Sequence, residues 1–372
     1  MKAEWQPIYS VERSGVPELT IAGLVCVVEG DGESSAYPRL TLGDMSMRLW
    51  PRSLLKPWQL LSHLPELYRS YPALEPEHVA LMMASHSAEP KHLELLHQIM
   101  EIGQAREEWL KCPPALPQHA NTRARMKLEG VEPRRLYHNC SGKHFGYLMA
   151  IKAAGGDVDS YLNFAGEQHL PLKEMLGYLL GRQDELPVTT DGCQLPNYGL
   201  TVLEMATLYQ GLANRTNSHP GKDEISERLA LYPQLRSLMA AYPQVIGGSE
   251  RLDSTIMSGD WHLNGNPMLI AKEGADGLLA IGVGACEKYP HGLGILIKVS
   301  TGFEKAQMAL IAKEIFAQLG LCQHPSTTPA HPLGTGGDHI RINFHFSVEP
   351  GKTKRATTVV PLGNVLPVVA VN

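Results

Sequence analysis

The order of elements along the chain predicts an α+β protein, an antiparallel sheet with a helical cluster. Three observations carry this. Runs rich in β-branched residues stand near the start, from Leu19 to Glu29, and again after Gly247-Gly248. Stretches of helical period fill the interval between them. The strands are grouped rather than alternating with helices, which disfavours parallel βαβ units.

Leu19 to Glu29 ends at Gly30-Asp31-Gly32, a turn signal, and reads as a strand. Arg39 to Leu49 is a second strand, making a hairpin-like pair. A helix start follows near Ser53, because Pro57 is tolerated only in a first turn and Trp58, Leu60, Leu61 and Leu64 supply an apolar face. Helical stretches cover Glu77 to Ala84 and Lys91 to Ile102, with the polar turn Ser85-His86-Ser87-Ala88-Glu89-Pro90 between them. Cys112 to Arg135, with Pro113, Pro114, Pro117 and Pro133, reads as an irregular excursion. Next come the apolar helical run Phe145 to Ala154 and helices over Gly166 to Leu180, Leu200 to Asn214 and Asp223 to Ala241. Met268 to Lys272, Leu278 to Val283 and Gly294 to Ser300 read as strands, and Phe303 to Leu319 as a long amphipathic helix. Beyond Cys322 the chain is rich in Pro, Gly, Thr and His, with Arg341 to Phe346 and Val359 to Val371 as short strands. This gives a catalytic domain over residues 1–322, in two packed lobes, and a divergent tail over 323–372.

A chain of 372 residues, 43% hydrophobic and 19% charged, has the composition of a globular protein with a substantial core. A net charge of −5 with scattered basic residues leaves no nucleic-acid footprint. The start, Met1-Lys2-Ala3-Glu4-Trp5-Gln6-Pro7, has no apolar core of a signal peptide, and no apolar run is long enough for a bilayer, so a cytoplasmic, membrane-free location is expected. Six cysteines without a Cys-x-x-Cys pair follow no disulfide scaffold and are expected as free thiols or metal ligands.

Two constellations bear chemistry. Ser53 and Lys56 form a Ser-x-x-Lys pair, one helical turn apart on one face, so the amine can reach the hydroxyl. A neutral lysine there accepts the serine proton, and the helix start offers free N–H groups for an oxyanion. Ser85 supplies a second hydroxyl, and Lys272, at the end of an apolar strand, a second amine. Taken singly these are common residues, and an N-cap serine with a solvated lysine is the ordinary reading. Their order matches the three-part layout of serine β-lactamases, although Lys272-Glu273-Gly274 is not Lys-Thr-Gly and Ser85-His86-Ser87 is not Ser-Asp-Asn. The second constellation is Cys140, Lys143 and Cys193, with His138, His144 and Asp191 nearby in sequence. Buried cysteines are more often small hydrophobes, and lysine gives a metal nothing unless it is neutral; spacing alone supports no metal.

Taken together, Arg52-Ser53-x-x-Lys56-Pro57, Ser85-His86-Ser87-Ala88-Glu89, Asn139-Cys140-Ser141-Gly142-Lys143-His144, Asp191-Gly192-Cys193 and Lys272-Glu273-Gly274-Ala275-Asp276-Gly277 resemble the thermolabile, Rhizobium-type L-asparaginase family (asparaginase II). The resemblance runs from near Gln6 to near Leu319. It implies a fold similar to glutaminases and serine β-lactamases, and hydrolysis of L-asparagine to aspartate and ammonia. It also implies serine–lysine tandems at Ser53 with Lys56 and Ser85 with Lys272, a zinc held by Cys140, Lys143 and Cys193 with Asp191 lining the site, and Arg52 on the substrate carboxylate. Three positions depart from the family's pattern: Ala88 and Gln194, where glycine is usual, and Asp276, where glutamate is usual. The expected partner is a small-molecule substrate, with no nucleic acid or membrane; a homodimer is a possible assembly. Two other readings stand beside this one, a β-lactamase-like hydrolase of another amide or ester, and a non-catalytic binder of an amino acid or zinc.

Overall fold

One long strand organises the sheet. The computed structural model describes residues 5–32, 36–215, 223–302, 305–323, 340–347 and 356–359. An eight-stranded antiparallel sheet is built from β1 (Gln6–Arg13), β2 (Val16–Gly30), β3 (Ala36–Leu42), β4 (Leu269–Gly274), β5 (Leu278–Val283), β6 (Leu293–Val299), β7 (Ile340–Phe344) and β8 (Ala356–Val359). Its order is β8-β7-β1-β2-β6-β5-β4, with β3 also on β2. The 15 residues of β2 pair with β1 through their first half and with β6 through their second, so an early and a late strand meet on it. β4 and β5 are buried at every position, and both read as unbroken apolar runs apart from the Lys272-Glu273 pair.

The helical cluster includes α1 (Lys56–Leu61), α2 (Pro76–Met82), α3 (Pro90–Gly103), α4 (Ser141–Ala153), α5 (Val202–Asn214), α6 (Leu252–Met257) and α7 (Lys305–Gln318). α5 starts on a reciprocal cap: Thr201 Oγ1 accepts from the Glu204 N–H at 3.1 Å, and Glu204 Oε2 accepts from the Thr201 N–H at 2.7 Å. It lies against β5 and β6 at backbone contact. Gly282 and Gly294 face each other across those strands, and a Cβ on either would fall 2.5 Å from Tyr209 O or 2.0 Å from Ala206 O. Only glycine permits this approach.

The α+β class and the antiparallel sheet are those the sequence predicts; several boundaries differ. β1 was not expected. Arg39 to Leu49 is not one strand: β3 stops at Leu42, Gly43 takes φ +84°, and Arg48–Leu49 pairs instead with Leu200–Thr201. The segment 112–135 contains a helix, Ala120–Leu128, capped by the His119 ring accepting from the Thr122 N–H. Asp223 to Ala241 is two helices, Glu224–Leu229 and Tyr232–Ala241, because Pro233 belongs to a first turn and interrupts the preceding one. α4 starts at Ser141, four residues earlier than expected. In the tail, β7 pairs with β1 and buries Ile342 and Phe344, so that part of 323–372 completes the sheet. Of the strand expected over Val359 to Val371, residues 360–371 lie outside the described residues, as does Phe303. No helix among the described residues is long and apolar enough to cross a membrane.

Gly294→Ala should destabilise the protein by roughly 1–3 kcal/mol, since α5 must lift off the sheet to admit one methyl group. Urea unfolding checks this; an unchanged midpoint would show that the helix–sheet seat yields freely.

Candidate active site

Pro51 opens a 3-10 turn, Arg52–Leu55, that runs directly into α1 with Pro57 in its first turn. Ser53 therefore sits in a tight turn before the α-helix and does not cap it. Leu54 and Leu55 are buried, and Tyr209 of α5 donates to Leu54 O at 2.9 Å, which ties the turn to the core. Lys56 is fully buried and its amine meets Ala84 O at 2.5 Å, Ser85 Oγ at 2.9 Å and Asn139 O at 3.4 Å. Burial lowers its pKa to about 8, with the Lys143 and Lys272 charges acting the same way against Cys140.

The structure thus places Lys56 on Ser85. Among the described residues Ser53 Oγ has no hydrogen-bond partner. Lys272 is also fully buried, but its amine lies 2.6 Å from Asp253 Oδ2, and no hydrogen bond joins it to Ser85. Asp253, on α6, also accepts from the Glu273 N–H at 3.1 Å and the Ser254 N–H at 3.0 Å. Burial would raise this carboxyl, but Lys272 and Arg251 outweigh it and hold Asp253 ionised. Lys272 is lowered by burial while Asp253 works to keep its proton on. Asp253 was missed from the sequence. Its one signal was indirect, since a lysine on a buried strand needs an anion from somewhere.

Ser53 and Ser85 open onto one cleft of about 330 Å³, which Ser87, Gln118, Asn139, Glu250, Arg251, Glu273, Gly274, Ala275 and Lys305 also line. A second cleft of the same size, around Met257, Trp261 and Pro267, has neither serine nor lysine in its lining. In the first, Arg251 Nε lies 2.6 Å from Glu273 Oε2, and burial together with Asp253 raises the Glu273 carboxyl to about 7.

Behind Lys56 lies the sulfur cluster. Cys140 precedes α4, Lys143 is on its first turn, and Cys193 comes from the turn between Val188–Thr190 and Pro196–Tyr198. All three are buried, and the Lys143 amine is 3.1 Å from Cys193 Sγ, which is 3.7 Å from Asp191 Oδ2. A hydrogen bond from Cys193 holds Cys140 well below the usual thiol range, and the same bond, with burial, raises Cys193. Burial would lower Lys143, but Cys193, Cys140 and Asp191 outweigh it and raise it. Two sulfurs and one amine fit a soft or borderline dication, which would take the place of the lysine proton. Among the described residues, no group of three or more His, Cys, Asp or Glu side chains could hold a metal, so lysine would have to serve as the third donor. His144 Nδ1 lies 2.7 Å from Tyr161 OH, so that ring nitrogen is engaged outside the sulfur cluster. His138 Nδ1 accepts from the Cys140 N–H at 3.1 Å.

Arg52 pairs with Asp191 through Nε and with Asp276 through Nη1, and it does not line the cleft. The three departures from the family's pattern share a backbone property. Ala88, Gln194 and Asp276 have φ of +55°, +75° and +61°, a region that favours glycine.

This cleft, with two hydroxyls, a depressed amine and fixed charges, has the composition of a hydrolytic site. Comparison with known proteins supplies the class, an amidohydrolase, and then the family. A model of the L-asparaginase II family matches residues 9–335, and the chain belongs to that family. A search of curated proteins finds no match. Among solved structures, a probable glutaminase from Bacillus subtilis complexed with 6-diazo-5-oxo-L-norleucine is 16% identical, with 81% of this chain and 85% of that one covered and a TM-score of 0.37. A Bacillus glutaminase is 16% identical, over 80% of this chain and 91% of that one, with a TM-score of 0.36.

Gln194 is exposed, so Gln194→Gly should stabilise the fold by roughly 0.5–1 kcal/mol, the strain of a left-handed residue less the added backbone entropy. A raised thermal midpoint is the expected result, and a lowered one would mean that the turn is unstrained.

Proposed function

We propose that the enzyme hydrolyses the side-chain amide of L-asparagine to aspartate and ammonia through a lysine-activated serine. One observation carries the mechanism: the Lys56 amine, out of water and without a carboxylate, is 2.9 Å from a cleft hydroxyl, Ser85 Oγ. Ser53 Oγ, open to the cleft beside Ser85 and without a hydrogen-bond partner among the described residues, attacks the amide carbon. Its proton passes through Ser85 to neutral Lys56, and the first N–H groups of the Arg52–Leu55 turn hold the oxyanion. The protonated lysine then gives its proton to the amide nitrogen, which leaves as ammonia, and water resolves the acyl-enzyme. Lys272, paired with Asp253, lowers the Lys56 pKa further through its charge. The substrate assignment rests on the family, and a cytoplasmic location is part of the same proposal.

Cys140, Lys143 and Cys193 are proposed as zinc ligands, with Asp191 beside Cys193. When bound, zinc would supply a Lewis-acidic charge that helps position the substrate.

Ammonia release from asparagine should fall roughly a thousandfold or more in both Ser53→Ala and Lys56→Met. Unchanged turnover in either variant would sink the mechanism. Because the base works deprotonated, kcat/KM should climb as pH rises through about 8, the value to which burial lowers Lys56. A profile flat from pH 6 to 10 would remove Lys56 from the role. Elemental analysis should find about one zinc per chain in the native protein and much less in Cys140→Ser. Equal metal content in the two would exclude this ligand set.

A further inference from the structure

An amino-acid substrate brings an α-carboxylate into the cleft, and the cleft must answer it. Arg52 is badly placed for this, with two of its nitrogens on Asp191 and Asp276 and no share in the cleft lining. Arg251 does line the cleft, beside Ser53 and Ser85. Its side chain is only 19% exposed, and its neighbours orient it. Nε faces Glu273 Oε2 at 2.6 Å and Asp253 Oδ1 at 3.5 Å, and Nη1 donates to Gln118 Oε1 at 3.4 Å. Among the described residues Nη2 has no hydrogen-bond partner. A guanidinium fixed on one edge and open on another is preorganised for a carboxylate. Lys305, the other cation of the lining, is exposed and donates to Glu250 O, so ordering it on a ligand costs side-chain entropy. Glu250 offers an exposed carboxylate for the substrate ammonium.

We propose that Arg251 is the specificity-determining residue that recognises the substrate α-carboxylate and so makes the enzyme prefer a free amino acid to a simple amide. This rests on the asparagine reading above. The network explains why the residue must be arginine: its fork is held by Glu273 and Gln118 while another edge remains for the ligand, which one ammonium cannot reproduce.

The test compares hydrolysis of asparagine with that of 3-aminopropanamide, which is asparagine without its α-carboxylate. In the native enzyme asparagine should be strongly preferred, and in Arg251→Gln that preference in kcat/KM should shrink on the order of 10- to 100-fold, mostly through KM. Arg251→Lys should restore part of it and keeps the charge that Glu273 and Asp253 require, so it serves if the glutamine variant fails to fold. A preference unmoved in both variants, even with both rates lowered, would reduce Arg251 to a structural role. A collapse of the preference in Lys305→Ala but not in the Arg251 variants would assign the carboxylate to Lys305 and overturn the proposal. Native enzyme that releases no ammonia from asparagine would overturn the substrate reading itself, a result distinct from either.

Discussion

Three lysine amines are withdrawn from water within one region of the core, and the way each is compensated determines what it can do. Lys272 has Asp253 at 2.6 Å and Lys143 has sulfur at 3.1 Å, so both have anionic or potentially anionic partners. Among the described residues Lys56 has two carbonyl oxygens and a hydroxyl as its hydrogen-bond partners. Neutral acceptors reduce the desolvation cost of an ammonium but do not cancel it, whereas a buried carboxylate can. Of the three, Lys56 is therefore the one that gives up its proton most readily. The other two cations reinforce this through space, since both lower its pKa. The proposed base needs an amine that loses its proton easily, and Lys56 is eased toward this because the anions lie on its neighbours.

The scaffold that makes this possible is stiff. α5 seats on the sheet through Gly282 and Gly294, and Tyr209 from the same helix holds Leu54 O in the serine turn. The position of Ser53 is thus coupled to a helix–sheet contact with no slack. β4 brings Lys272 and Glu273 to the same region from the sheet side.

Much of this was legible in the sequence where the signal is local. Pro57 with the apolar residues after it marked the start of α1, and the apolar runs marked β5 and β6 to within one residue and all of β2 but its first three residues and its last. Long-range pairing was not legible. Nothing local says that Lys56 faces Ser85, that Asp253 compensates Lys272, or that Arg251 turns toward Glu273 and the cleft. These residues lie 19 to 29 positions apart or more, and their contacts exist only once the sheet and helices have packed. β1 carries no local signal for the same reason, and although Arg341 to Phe346 reads as a short strand, its pairing with β1 is fixed only when β1 has paired with β2.

Arg52 shows how burial decides between two roles that a sequence leaves equal. Its partner Asp191 has a side chain 9% exposed, while Asp276 is 70% exposed. The first pair lies largely out of solvent, where removing one ion strands the other; the second is screened and worth roughly 0–1 kcal/mol. A ligand carboxylate could displace Asp276 cheaply, so charge alone does not rule Arg52 out as a recognition residue. Position favours Arg251 on the proposed reading. Asp191 fixes the Arg52 guanidinium beside the turn that carries Cys193, and Arg52 is not among the residues that line the cleft with both serines. Arg251 lines that cleft, with Glu273 and Asp253 on its Nε.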